Sequence, residues 1–489
     1  MDEQDQASTS AEVRPGPADR TPVRKVTHLT PLERTARGKA ARNEVPRSGH
    51  GRWVPAENRV DPISLLEEQA ATRVPELVPI RYGRMLVSPF TFYRGAALIM
   101  AADLAATPRS GLNAQLCGDA HLSNFGVFAS PERQLLFDIN DFDETLPGPW
   151  EWDLKRLTAS FEVAGRDRGF SAEQRRGIVL ACVDEYRTRM TNAADARNLD
   201  VWYAHIGVSE MFEELSKVAT SKVTKRAQLA ADKARTRDSL QAFTKLTHVV
   251  DGKRRIIADP PLITPLADLI PPGSEREEVE DGLRQLIRSY RKTLATDRRH
   301  LLEDFELVDV ARKVVGVGSV GTRAWILLMS GRDEQDPLFL QAKEAQESVL
   351  ERFAGKSTYA NAGQRVVAGQ RLMQAASDIF LGWQRVNGLD GLTRDFYIRQ
   401  LRDWKGSADI DIMEASTMSM YARICGATLS RAHARSGDRI AIAGYLGKSD
   451  AFDKAIADFS TSYADQNERD YQALVDAVKS GRLTAQTGL

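Results

Sequence analysis

Two acidic clusters, separated by one hairpin's length, carry residue types suited to magnesium and phosphate chemistry: CGDAHLSN over Cys117–Asn124 and FDINDFDE over Phe137–Glu144. Asp119 and Asn124 stand at the spacing at which phosphoryl-transfer loops place the aspartate that takes a hydroxyl proton and the asparagine that holds a metal ion. The second cluster offers Asp141 and Asp143 as further metal ligands beside Asn124. Between them, Val127-Phe128 and Leu135–Phe137 flank Ala-Ser-Pro-Glu-Arg, which predicts two short strands around a turn and brings Asn124 and Asp141 to one end. Taken singly, Asp119, Asp138, Asp141 and Asp143 are equally good turn or cap residues; their conjunction is what points to chemistry. His121 joins the catalytic set as an orienting residue, since proton removal falls to the aspartate. Cys117 reads as a small apolar residue of the preceding strand.

A second constellation follows some two hundred residues later. Val310–Val315 runs into Gly316-Val317-Gly318-Ser319-Val320-Gly321 and then into the apolar stretch Thr322–Met329. A dinucleotide-binding fingerprint needs a helix after its last glycine, whereas this run favours a strand, so the segment reads as strand, glycine turn, strand. After a turn at Gly331–Pro337 a third strand, Leu338–Lys343, ends in a lysine. Glycines let backbone N–H groups approach phosphate oxygens, and a lysine on the adjacent strand adds a point charge. Gly316, Gly318, Ser319, Gly321 and Lys343 are therefore candidate nucleotide contacts, against the alternatives of an ordinary hairpin and a solvated strand-end lysine. Alternation puts Phe339, Gln341 and Lys343 on one face and Leu338, Leu340 and Ala342 on the other. Glu351 is the expected carboxylate partner of Lys343, with Glu347 and Glu344 behind it.

Pro147–Arg156 turns the chain into a helix. Together GDAHLSN, NDFDE and GPWEWDL resemble the GDxHxxN, IDFxD and DPxxDL elements of aminoglycoside phosphotransferases and choline kinases. With FYRG (Phe92–Gly95) before them and GQRLMQ (Gly369–Gln374) after, the chain is similar to an uncharacterised bacterial family, domain of unknown function 2252, placed among kinase-like folds. The resemblance implies an α+β, protein-kinase-like two-lobed fold with extra helices. It also implies that Asp153 is buried under the catalytic loop and accepts backbone hydrogen bonds. Kinases place the glycine loop and lysine first; here they come second, which a circular permutation explains. Consistent with that, Tyr421–Arg435 looks like the helix that precedes the catalytic loop, with His433 as a structural residue; the alternative is that Phe92–Leu104 supplies that helix and the small lobe is inserted. Either way Lys343 lies opposite Asp141, as an exposed cleft lysine. Gln341 stands where the family places an alanine that makes room for adenine.

Three functions compete, and these readings favour an ATP- and Mg²⁺-dependent phosphotransferase acting on an unidentified hydroxyl of a small molecule or protein. The alternatives are a metal-dependent phosphoesterase, with Asp119, His121, Asp138, Asp141 and Asp143 as a two-metal cluster, and a nucleotide-binding pseudokinase or nucleotidyl transferase. Equal numbers of basic and acidic residues, 67 each, leave no electrostatic footprint for nucleic acid. Three widely spaced cysteines without a CxxC pattern suit a reducing cytoplasm, and no signal pattern or long apolar run predicts secretion or a membrane span.

The chain divides into a disordered tail to residue 55, a large-lobe part over 56–300 with a helical insertion, a β-rich part over 301–410 and a helical completion over 411–489. Composition argues for the tail, and its basic patch Arg34–Arg42 reads as part of it, against the alternative of a contact with RNA or lipid headgroups. Helical periodicity covers Ser171–Ala194, Glu210–Leu246, Glu275–Leu302 and Phe452–Ala477. Val249–Ile257 reads as a hairpin around Asp-Gly, and Asp395–Leu401 as a strand.

Overall fold

The computed structural model describes residues 28–488 apart from 52, 212, 214–220, 271–275, 389 and 402. The protein is α+β: a helical body with one continuous core reaching from Ala41 to Ala464, beside a six-stranded antiparallel sheet.

At the centre of the body lies the helix Trp150–Asp167, buried from Trp150 to Gly165. Helices Ala172–Asp195, Ala415–Ser436 and Ala451–Lys479 pack around it, so its charged residues can stay only where they are paired. Glu151 accepts from Ser110 N at 2.7 Å, Glu162 holds Arg166 and Arg175, and Lys155 lies over the Phe459 ring. Trp150 stacks on Tyr186 with ring centroids 5.6 Å apart, closing the side that faces Ala172–Asp195.

The hairpin forms as read: Phe125–Ala129 pairs antiparallel with Leu135–Ile139, Phe125 opposite Ile139. Its open end joins the two acidic segments, with Asn140 N donating to Asn124 O at 2.8 Å. In the large sheet the strand order is Gly382–Asn387, Thr393–Gln400, Pro337–Ala345, Ala324–Ser330, Glu306–Lys313, Ile263–Pro265. Alternation along Pro337–Ala345 is as expected. Leu338 and Leu340 pack with Ile287 and Tyr290 of helix Arg276–Arg291, and Phe339 packs on the opposite side with Ala242 and Leu246 of helix Ser239–Leu246. The Asp251-Gly252 turn joins Thr247–Val250 to Lys253–Ile256.

Several boundaries differ from the sequence reading. The helix expected over Glu275–Leu302 breaks into Arg276–Arg291 and Thr296–Glu303, because Thr293 turns its hydroxyl to accept from Trp383 N at 3.2 Å and so ties the break to the sheet edge. Of the stretch Glu210–Leu246, the structure describes helices Ser221–Arg235 and Ser239–Leu246; residues 212 and 214–220 lie outside the described residues. Ile263–Pro265 pairs with Glu306–Lys313, and Gly406–Ser407 pairs with the hairpin, so both of these sheets are built from chain on either side of residue 300.

The tail is also shorter than expected. Residues 1–27 lie outside the described residues, but Pro31–Glu44 is a helix with a Thr30/Glu33 capping box, docked on helix Arg439–Leu446. Two of its basic residues are spent there: Arg34 pairs with Asp438 at 2.7 Å and Arg42 donates to the carbonyls of Gly444 and Tyr445. Among the described residues, no helix is long and apolar enough to cross a membrane.

Candidate active site

Asp119 and Asn124 are positioned by a loop that the helical body grips from below. Asp153, 1 % exposed, accepts from Cys117 N at 2.8 Å and from Gly118 N at 3.0 Å, the buried backbone-binding role expected of it. His433 of helix Ala415–Ser436 supports that carboxylate at 3.3 Å from Nε2. Gly118 has φ +85°, and a Cβ there would lie 2.2 Å from Glu144 O, so only glycine permits the loop and the second acidic segment to approach. Beyond this turn Asn124 Nδ2 donates to Asp119 O at 2.7 Å and closes the loop on itself.

Asp119 is held by Arg156, whose Nε and Nη2 reach Oδ1 at 2.8 and 2.7 Å. Arg156 is in turn fixed by Tyr93: its Nη2 donates to Tyr93 O at 2.8 Å, and its guanidinium lies 4.0 Å from the ring centroid. That explains the Tyr93 of FYRG. Oδ2 of Asp119 is 3.8 Å from His121 Nε2. Burial raises the Asp119 carboxyl above its ordinary range although Arg156 opposes it, while burial, Arg94 and Arg156 push the His121 imidazole well down and keep it neutral.

The two constellations meet here. Lys343 Nζ is 3.7 Å from Asp141 Oδ2 and forms an ion pair with Asp143 Oδ2. Asp143 Oδ1 accepts from Tyr397 Oη at 2.7 Å, and Ser319 Oγ of the glycine loop reaches Asp143 Oδ2 at 3.3 Å. Burial works against the Asp141 charge, but Lys343, Arg399 and Lys405 outweigh it and hold the carboxyl down at about 2. The same crowding of cations, Arg399 foremost and burial second, lowers Lys405 to about 7. Lys343 is not the exposed lysine expected of an open cleft: it is 3 % exposed, because the carboxylates, Tyr397 and the loop close over it.

The glycine loop is an open turn between Glu306–Lys313 and Ala324–Ser330, with Gly316 at φ +64° and Gly321 at φ +88°. Among the described residues no acceptor meets the N–H of Gly318 or Ser319. The loop lines a cavity of about 890 Å³ together with Asp119, His121, Asn124, Asp141 and Asp143. The cavity walls do not include Gln341, which is 6 % exposed and 3.4 Å from Arg399 Nε.

Glu351 lines the cavity but does not partner Lys343. Its carboxylate accepts from Ser348 N and Ser357 N at 3.1 Å each and lies 3.9 Å from Arg365 Nε; the short helix Glu351–Ala354 turns it toward its own loop, and Asp143 takes its place. Nor does the five-residue cluster of the phosphoesterase reading assemble. Asp138 is buried against Arg431 and accepts from Ile139 N and Ala375 N, and among the described residues no three His, Cys, Asp or Glu side chains converge as metal ligands.

Sequence reasoning missed Arg365, Tyr397 and Arg399. Arg365, 2 % exposed in helix Ala362–Met373, donates to the carbonyls of Asp143 (2.8 Å), Thr145 (2.6 Å) and Gln346 (2.8 Å), tying the acidic loop to the lysine strand. An arginine beside Val366-Val367 in an apolar stretch was the available signal. The GQRLMQ segment of the same helix brings Gly369 against Thr145 and donates Gln374 Nε2 to Ile139 O at 2.6 Å. Arg399 donates to Asn140 O at 3.1 Å; one strand position cannot announce a contact made across the fold.

Fold and site together define an α+β protein in which the acidic hairpin and the glycine loop of the large sheet line one cavity, with Lys343 enclosed behind Asp141 and Asp143 rather than on its wall. The chain belongs to the DUF2252 family, described as an uncharacterized protein conserved in bacteria, which matches residues 73–477. Comparison with the curated proteins and with the solved structures finds no match.

Proposed function

We propose that this protein is an ATP- and Mg²⁺-dependent phosphotransferase of circularly permuted, kinase-like two-lobed fold, acting on a hydroxyl acceptor. The observation that carries the reading is Lys343 at 3.7 Å from Asp141 and paired with Asp143. Each half alone lacks something that phosphoryl transfer needs: a cradle for polyanionic phosphate in one, metal ligands in the other. The strand order supports it, since Glu306–Lys313, the glycine loop, Ala324–Ser330, the lysine strand, helix Ala362–Met373, Gly382–Asn387 and Thr393–Gln400 follow one another as in a kinase small lobe. The permuted rather than inserted arrangement draws support from helix Ala415–Ser436, which packs under the catalytic loop through His433 and through Arg431 on Asp138.

The oxygen donors Asn124, Asp141 and Asp143 suit a magnesium ion, which takes one or two carboxylates and completes its shell with water and phosphate oxygens; bound there, it would neutralise charge developing on the transferred group. Asp119 would receive the acceptor's hydroxyl proton on Oδ2 while Arg156 fixes Oδ1. The unengaged N–H groups of Gly318 and Ser319 would face phosphate oxygens, and Lys343 would exchange carboxylate for phosphate. Catalysis would rest on positioning and charge stabilisation.

The test is product analysis with labelled ATP over a panel of hydroxyl-bearing metabolites and protein extracts. Mg²⁺-dependent ADP formation with label on an acceptor, lost in Asp119→Asn, is the expected result. Release of AMP would replace the reading by nucleotide transfer, and ATP-independent hydrolysis of phosphate monoesters by a phosphoesterase.

A further inference from the structure

Three arginines ahead of the catalytic loop reach the same cavity without a carboxylate to meet them. Arg73 follows helix Pro62–Ala70, Arg81 lies in helix Val78–Met85 and Arg94 in Pro89–Gly95, and all three line the cavity beside Asp119 and His121. Arg81 is 0 % exposed. Its Nη2 donates to Gln69 Oε1 at 3.0 Å and Gly95 O at 2.9 Å, but its Nε and Nη1 are buried with no partner. Arg73 gives Nη1 to Val320 O in the glycine loop and leaves Nε unmet, and Arg94 also leaves Nε unmet.

This is unlike the other arginines with a buried unmet nitrogen. Arg291, Arg312, Arg365 and Arg431 each have a carboxylate within 4.0 Å: Glu303, Glu76, Glu351 and Asp138. Among the described residues no carboxylate comes that close to Arg73, Arg81 or Arg94. The acids on the same wall are engaged elsewhere: Glu68 by Arg352, Glu344 by Arg323, Glu351 by Arg365, Glu347 by Lys356, Asp119 by Arg156, Asp141 and Asp143 by Lys343, and Glu144 by Val349 N; Glu144 acts on Arg73 and Asp119 on Arg94 only from beyond 4.0 Å. An uncompensated buried charge is costly, and a guanidinium fork matches phosphate oxygens in geometry and charge.

We propose that Arg73, Arg81 and Arg94 form an oxyanion receptor for a phosphate group of the ligand. The inference rests on the phosphotransferase reading for its place in the reaction, and it names the ligand chemistry: a phosphate carried either by the nucleotide's own chain or by an already phosphorylated acceptor. Through Arg73 on Val320 O and Val74 N on Gly321 O at 2.8 Å, the same segment fixes the glycine loop, so anion capture and loop position are built from one stretch of chain.

The experiment is calorimetric titration of the full-length protein with inorganic pyrophosphate, free of Mg²⁺ and nucleotide, for wild type, Arg94→Gln, Arg94→Lys and Arg81→Gln. Thermal unfolding of each variant identifies any that fails to fold; Arg94, only half-buried, is the safer position. Wild type is expected to bind, with affinity falling about tenfold or more in Arg94→Gln and partly restored in Arg94→Lys. The same proteins are then titrated with ATP and Mg²⁺. A parallel loss assigns the receptor to the nucleotide's phosphates, and unchanged ATP affinity assigns it to the acceptor's. No pyrophosphate binding by wild type, or equal binding by folded Arg94→Gln and Arg81→Gln, overturns the proposal. Pyrophosphate binding that depends on Arg94 in a protein that ignores ATP leaves the receptor standing and sinks the phosphotransferase reading instead.

Discussion

Asp153 takes no part in the chemistry proposed for this cavity, yet the loop that carries Asp119 hangs from it. Two backbone N–H groups, Cys117 and Gly118, end on its carboxylate inside the core. Asp153→Ala leaves both buried and unpaired, which costs on the order of 2–4 kcal/mol. Urea unfolding should show that loss, and Asp153→Asn, which keeps one acceptor, should lose less. The contrast between Asp153 and Glu351 shows what a motif conveys. Asp153 was legible only through the resemblance of GPWEWDL to the DPxxDL element, which carries the position of a buried backbone acceptor with it. Glu351 was assigned as the carboxylate on the helix after the lysine strand, and the requirement that a buried lysine meet a carboxylate was already satisfied by Asp143, across the fold. Arg94 and Arg81 were unreadable for a related reason: an arginine's exposure and the lack of a partner are properties of the assembled cavity.

At the scale of elements, strands were easier to read than the N-terminal helix. Alternation and turn residues announce a hairpin, whereas Pro31–Glu44 buries only Gly38 and Ala41 and shows no apolar stripe. It docks by close approach of small residues: a Cβ on Gly38 would lie 2.0 Å from Ala441 O. The turn that follows is pinned by His50, 1 % exposed, with Nε2 2.7 Å from Tyr445 Oη and its ring edge-on to Phe452. Burial, and secondarily Lys155, lowers the His50 pKa to about 3 from an ordinary 6.5. A histidine whose folded pKa is depressed stabilises fully above its unfolded pKa, and that contribution erodes as pH falls toward the folded value. Stability to urea should therefore decline from about pH 6.5 downward, more steeply in wild type than in His50→Gln. Equal slopes would show that this contact does not govern the docking of the arm.

At the scale of the whole molecule the site draws on Arg73–Arg156, the glycine loop, the lysine strand and the helices Ala362–Met373 and Ala415–Ser436. The sequence conveyed the two halves and their complementarity, and hence that they meet; it did not convey how tightly. Lys343 is enclosed with two carboxylates, so Lys343→Met should also destabilise the protein, by less than the ~3–5 kcal/mol of a fully buried pair because both carboxylates are partly exposed and Arg399 and Lys405 still act on Asp141. The central claim is that these halves form one nucleotide and magnesium site. The measurement that tests it most directly is titration of ATP with and without Mg²⁺ into wild type, Asp141→Asn and Lys343→Met, each confirmed folded at the working temperature. The account predicts Mg²⁺-dependent binding by wild type, loss of the Mg²⁺ dependence in Asp141→Asn and weakened binding in Lys343→Met. Wild type that does not bind ATP, or the same Mg²⁺-dependent affinity in all three proteins, would contradict it.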